Sequence, residues 1–249
     1  MEAATAVLGL PANVLVLWVL LRNKTDFSTA AVFTLNLAVM DTLYCLSSPL
    51  DVYNYYCLRS DIIYRVSLFF YGLNEIGGPL FLSIICVDRY VAVIHPITYI
   101  GFKDGRYRLL GCGVIWANTT AYCFFSSYTR AMFYSQILTI CYSAVLVLMV
   151  FCNLSILRGL AQSGPARETI HPMKRKAFKS VLCILFIMLA NYAPVMVVLQ
   201  LGSSLPAHVL ECYVIPAAYF FITISSFVQP VTYLYSIRNT PWRLTTNSG

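Results

Sequence analysis

Charge is what this sequence has least of. Lysine, arginine, aspartate and glutamate together make up 11% of its 249 residues, against 59% hydrophobic residues. A soluble domain of this length carries about a quarter charged residues, so a water-facing globular fold is excluded. Histidine is equally scarce. His95, His171 and His208 lie far apart, in loops or at helix ends, so no catalytic constellation is readable and no enzyme is expected. There is no ligand-spaced His/Cys cluster and therefore no metal site of that kind. Internal repeats and a continuous path of charged residues are also missing, which argues against a transporter or channel. Met1 runs almost directly into the first apolar stretch, so no separate signal peptide is expected.

What is present in abundance is long apolar runs. Mean hydropathy is +0.72, and windows of roughly 20 residues recur, the length that crosses a hydrocarbon core about 30 Å thick. Only helices satisfy their own backbone over such runs in lipid. The expectation is an all-α membrane protein, a seven-transmembrane helix bundle forming a single domain over 1–249. Its spans are placed near 3–22, 28–55, 62–91, 108–127, 131–157, 176–201 and 209–236. Arg22, Lys24, Lys103, Arg106, Arg108, Arg158, Arg167, Lys174, Arg175, Lys176, Lys179, Arg238 and Arg243 then fall on one side, and Arg59, Arg65 and Arg130 on the other. The positive-inside rule puts the N-terminus outside and the C-terminus, a short amphipathic segment, inside. Inner loops fall near 22–28, 92–107 and 158–175, outer loops near 55–62, 126–131 and 201–209, and a tail over 237–249. The net charge of +7 belongs to the inner surface, which faces anionic lipid. Nucleic acid is not called for.

The nine cysteines do not form a disulfide framework. Cys45, Cys86, Cys112, Cys123, Cys141, Cys152 and Cys183 lie inside spans as small apolar side chains. Cys57 and Cys212 sit near the outer surface, where pairing is open. Sequons at Asn23, Asn118 and Asn153 fall on the inner side or inside helices, so none should carry sugar.

Polar residues inside the spans are few and stand out, because each is costly in lipid without a partner. Asp88-Arg89-Tyr90 closes the third span, an acid beside an arginine that can neutralise it and later separate from it. Asn13 in the first span and Asp41 in the second need partners on other helices. Glu75 lies near the middle of the third with no basic residue at comparable depth. It should be protonated, share a proton with Asp41, or meet a bound ligand. Pro49 and Pro194 break helical hydrogen bonding and should kink or hinge their helices.

Six of these features recur in order, one set per helix: Gly9-Leu10-Pro11-Ala12-Asn13, Leu37-Ala38-Val39-Met40-Asp41, Asp88-Arg89-Tyr90, Trp116, Pro194, and Pro230-Val231-Thr232-Tyr233. Over essentially its whole length the chain resembles the rhodopsin-like (class A) G-protein-coupled receptors. Pro49 and the first-helix motif resemble the branch recognising nucleotides, lipids, carboxylates and tethered peptides. Asp-Arg-Tyr-Val-Ala and Tyr-Ser-Ile-Arg-Asn resemble odorant receptors, so a chemosensory ligand stays open, as does a non-signalling scaffold or decoy. The resemblance implies a multi-pass plasma-membrane protein whose partners are a heterotrimeric G protein, an extracellular ligand of unsettled class and membrane lipids.

Residue by residue, the resemblance implies a sodium ion among Asp41, Asn74, Ser225 and Ser226, with Asn13 completing the polar core. The alternative is polar groups satisfying one another without sodium, and no other cofactor is implied. Gly78 replaces the usual serine there and donates nothing. The activation switch would use Asp88, Arg89, Tyr90, Tyr192, Pro194, Pro230 and Tyr233. Ligand contacts would come from Tyr44, Ser48, Asp51, Tyr71, Glu75, Tyr192, Gln200 and Tyr219. Arg89, Pro96, Ile97, Lys174 and Lys176 would face the G protein, with Pro96 ending the third helix. Tyr71 stands where amine receptors place an aspartate, and no lysine follows Lys179 to bind retinal.

The chain also departs from the pattern. Only about five residues join the fourth and fifth helices, and Tyr64 stands where a disulfide usually ties the outer loop, so either the staple or part of that loop is missing. Val145 replaces a proline, Asn153 and Tyr192 replace usual aromatics, and Gln229 replaces Asn or Asp before Pro230.

Overall fold

The computed structural model describes residues 5–22, 29–102, 105–128, 134–161, 171–201 and 204–238. The side chains of Lys174, Lys176 and Tyr219 lie outside that description. Among the described residues seven helices dominate: α1 (Leu10–Arg22), α2 (Thr29–Tyr53), α3 (Asp61–Ile94), α4 (Gly105–Tyr128), α5 (Tyr134–Ala161), α6 (His171–Leu201) and α7 (Ile215–Arg238). Wide helical turns at Thr5–Gly9, Asn54–Leu58 and Leu210–Val214 extend α1, α2 and α7 at one end. Five described helical stretches are long and apolar enough to cross a membrane: Thr29–Leu58, Asp61–Ile94, Gly105–Ser127, Gln136–Gly159 and Val181–Val198. The shorter Ala6–Arg22 is apolar as well. Gln136–Gly159 has a mean hydropathy of 2.3 but is only 33% buried by the rest of the chain. Its outward face, including Ile140, Val147 and Phe151, is greasy and open, which fits lipid rather than water.

Helix α3 is the axis of the bundle, packing against α2, α4, α5 and α6, while α7 closes the ring between α6 and α1. Its middle shows why. From Gly72 to Pro79 every residue is buried, so no face of that stretch is left for lipid. Three of the eight are glycines, which let neighbours approach. Met40 comes so near Gly77 that its sulfur leaves no room for a Cβ there, and Cys123 would meet one on Gly72 at 2.9 Å. One apolar cluster joins α3, α5 and α6 around Leu138, Tyr142, Met149 and Tyr192. A second joins α2, α3 and α4 around Phe33, Met40 and Phe81.

The α2–α3 turn is closed by Asn54, whose amide donates to the Ser60 carbonyl at 3.1 Å and accepts the Ser60 N–H at 2.8 Å. Arg59 takes the left-handed conformation there (φ 50°), and its N–H reaches the Asn54 carbonyl. The C-terminal end of α3 differs from expectation. Pro96 does not simply end the helix. The helix stops at Ile94, His95 breaks the path, and Pro96 opens a new short helix over Pro96–Phe102. Proline suits a first helical position because its missing N–H would have been unbonded there. Cys57 and Cys212, the candidate outer pair, are both free and exposed.

Candidate polar core and inner switch

A helix proline leaves the carbonyl four residues earlier without its usual donor. Pro230 does this to Ser226, and Pro79, deep in α3, does it to Glu75. Both carbonyls are answered from another helix. Asn13 of α1 donates to the Ser226 carbonyl at 2.8 Å, and the Tyr142 hydroxyl of α5 donates to the Glu75 carbonyl at 3.0 Å. Buried carbonyls without partners cost free energy, so these side chains lock helices together at the points where helical bonding fails.

The predicted polar core assembles around the first of these points. Asn74 donates its amide to Asp41 and, at 2.9 Å, to the Ser226 hydroxyl. Gln229 donates to the Ser225 hydroxyl at 2.8 Å, and the Tyr192 hydroxyl lies 3.3 Å from the same oxygen. Asn13, Asp41, Asn74, Tyr192, Ser225, Ser226 and Gln229 are all buried. Within this set Asp41 Oδ2, Asn74 Oδ1 and Gln229 Oε1 are buried acceptors with no hydrogen-bond partner. A carboxylate oxygen and two amide oxygens are hard donors.

Tyr44 and Tyr71 meet edge to face, their ring centroids 5.9 Å apart. The Glu75 carboxylate lies 3.5 Å from the Tyr122 hydroxyl of α4, the outer limit of a hydrogen bond. Tyr142 packs edge to face on Tyr192 at 5.3 Å. Ser48 is buried, Asp51 half-buried and Gln200 exposed. Tyr122 and Tyr142 are not among the residues predicted from the sequence, although Pro79 already implies an orphaned Glu75 carbonyl.

At the other end, Asp88 is buried and Arg89 and Tyr90 are half-buried. Arg89 of its own helix, Tyr99 of the short helix, Arg108 of α4 and Thr29 of α2 all face the Asp88 carboxylate. Its Oδ2 is buried with no hydrogen-bond partner. The short helix after His95 therefore brings Tyr99 to the Asp88 carboxylate, a placement the sequence does not disclose. Tyr90 turns aside, with its hydroxyl 3.3 Å from His95 Nε2 and its ring 5.6 Å from Phe151. Tyr233 packs against Val16, Leu20, Ala31 and Ala38 while still feeling the charge of Arg89. Pro96 and Ile97 are exposed. Asn153 donates to the Met149 carbonyl at 3.0 Å and to the Val181 carbonyl at 3.4 Å, so it ties α5 to α6. Trp116, expected as a packing residue, donates its indole N–H to Asn36 Oδ1 at 2.9 Å and joins α4 to α2.

A family model described as 7 transmembrane receptor (rhodopsin family) matches residues 12–130, which include Asn13, Asp41, Asn74, Asp88-Arg89-Tyr90 and Trp116. Over that stretch, just under half of its length, the chain is similar to the rhodopsin-like receptors. Among its relatives, purinoceptor 6 of Rattus norvegicus is 28% identical over 76% of this chain and 66% of the relative. Proteinase-activated receptor 3 of Bos taurus is 34% identical over 46% of this chain and 31% of the relative. Lysophosphatidic acid receptor 5 of Bos taurus is 37% identical over 44% of this chain and 30% of the relative. In each case the chain spans less than two thirds of the relative's own length. These relatives are signalling receptors of the branch suggested by the first-helix motif, and none is an enzyme.

Proposed function

We propose that the chain is a plasma-membrane receptor with seven spans, its N-terminus outside, that activates a heterotrimeric G protein when an extracellular ligand binds. The observation that carries this reading is the enclosure of Asp88 at the inner end of α3. Two arginines and two hydroxyls act on this acid, and Tyr233 senses the charge of Arg89, so a movement of Arg89 would change the surroundings of both. Ligand binding favours that state only through contacts that differ between the two. The outer tyrosines, with Glu75 beneath them, would read the ligand. The prolines at 194 and 230 are the places where α6 and α7 can bend, and release of Arg89 would open the inner face to the G protein.

The relatives are named for purines, for proteinase activation and for lysophosphatidic acid. Phosphorylated small molecules, lipids and tethered peptides are accordingly the ligand classes to try first. In the resting state Asp41 and Asn74, with Gln229, would hold a sodium ion, which supplies a positive charge to the Asp41 carboxylate when bound. The test is nucleotide exchange on a panel of purified G proteins by the full chain in lipid nanodiscs, with and without nucleotide, lysophospholipid and peptide ligands. Exchange above the receptor-free rate on at least one G protein is expected. None on any, basal or stimulated, would leave a scaffold or decoy.

A further inference from the structure

Gly78 and Tyr192 look like two unrelated departures in the sequence, yet they occupy one place in the fold. A Cβ built on Gly78 would lie 2.6 Å from the Tyr192 hydroxyl oxygen, far inside van der Waals contact, and 3.8 Å from Cζ, which is ordinary contact. Only the hydroxyl of Tyr192, not its ring, occupies the space that any larger residue at position 78 would claim. The same hydroxyl is 3.3 Å from Ser225 Oγ and has the Gln229 side chain beside it. Tyr192 is fully buried, its ring is held edge to face by Tyr142, and Gly78 is buried against it.

We infer that the Tyr192 hydroxyl is a working member of the polar core, delivered from α6 into a notch that Gly78 leaves open on α3. This deepens the cation reading given above and rests on it. A hydroxyl carried on α3 would stay with Asn74 on the same helix. One carried on α6, two residues before Pro194, moves with the helix that must swing. Filling of the core by a cation and the position of α6 are then linked through a single oxygen. Displacing Tyr192 would strip the core of a donor, and a filled core would hold Tyr192 in.

Two experiments on the full chain in detergent or nanodiscs separate the placement from the role. In the first, Gly78→Ala and Tyr192→Phe are combined and thermal unfolding is followed. Gly78→Ala should lower Tm in the parent but cost little in the Tyr192→Phe background, because the oxygen it strikes is gone. Equal losses in both backgrounds would overturn the placement. If Gly78→Ala fails to accumulate, recovery of yield by Tyr192→Phe is the same result. In the second, the sodium-dependent rise in Tm is titrated against potassium. Tyr192→Phe should raise the sodium half-point about fivefold, the factor that corresponds to one lost neutral hydrogen bond. Gly78→Ser with Tyr192→Phe should restore it by returning a hydroxyl from α3. A full sodium response in Tyr192→Phe, with Asp41→Asn abolishing it, would overturn the inference and leave the cation reading intact. No sodium response in the parent would overturn both, while the first experiment would still decide where the hydroxyl sits.

Discussion

Replacing Tyr142 by phenylalanine removes one oxygen and nothing else, and what that oxygen does follows from a proline two helices away. Pro79 has no N–H to give to the Glu75 carbonyl, and the Tyr142 hydroxyl at 3.0 Å takes its place. The site is fully enclosed, since Tyr142 shows no exposed surface and Glu75 only 2%. Neither water nor lipid can therefore replace the bond without rearrangement. Stranding a buried carbonyl costs about 1–3 kcal/mol. The ring and its edge-to-face contact with Tyr192 remain, so no cavity contribution is added. For a chain of this length that corresponds to a fall in Tm of roughly 2–12 °C, readable by thiol-reactive or scattering assays in micelles. Pro79→Ala supplies the internal control by restoring the helical N–H donor. In that background Tyr142→Phe should cost about 0.5–1 kcal/mol less than in the parent. An equal loss with and without Pro79 would refute the claim that Tyr142 serves the orphaned carbonyl.

Asn13→Ala should behave similarly at Pro230, costing about 1–3 kcal/mol because the Ser226 carbonyl loses its 2.8 Å donor, and detergent unfolding would show it. Asn13→Asp keeps the shape but not the donor, so a wild-type Tm for that variant would contradict the assignment. Trp116→Phe should cost about 1 kcal/mol through the lost 2.9 Å bond to Asn36, and an Asn36→Ala double-mutant cycle should show the two effects to be non-additive. Asp41→Asn should abolish any sodium dependence of Tm, because it removes the charge from the unpartnered oxygen of the core. Tyr99→Phe should raise basal nucleotide exchange by removing a hydroxyl that faces Asp88, and unchanged exchange at equal surface expression would count against a role for the short inner helix.

The helices and the polar core are legible in the sequence because both rest on composition and spacing. Lipid admits few polar residues, so Asn13, Asp41, Asn74, Ser225 and Ser226 are conspicuous, and Asn74 does join Asp41 to Ser226. What the sequence hides is the rotation of one helix against another. Gly78 has no visible purpose until the Tyr192 hydroxyl is seen beside it. Asn153 stands in sequence where a partner for the arginine of the switch is expected, but its amide is committed to carbonyls on α5 and α6. Tyr99 lies in an expected loop, and the helix that carries it starts only because Pro96 can open a helix as readily as close one. Pro79 is a different kind of omission, since the identity of the stranded carbonyl follows from counting back four residues.

The claim that most needs testing is that Asp88 holds Arg89 in a resting position from which a G protein is activated. The direct measurement is basal guanine-nucleotide exchange by the full chain and by Asp88→Asn and Arg89→Ala in nanodiscs, on whichever purified G protein responds to the parent. Asp88→Asn should raise the basal rate severalfold and Arg89→Ala should bring it to the receptor-free rate. A basal rate untouched by either substitution, in protein that is folded and inserted, would contradict the account.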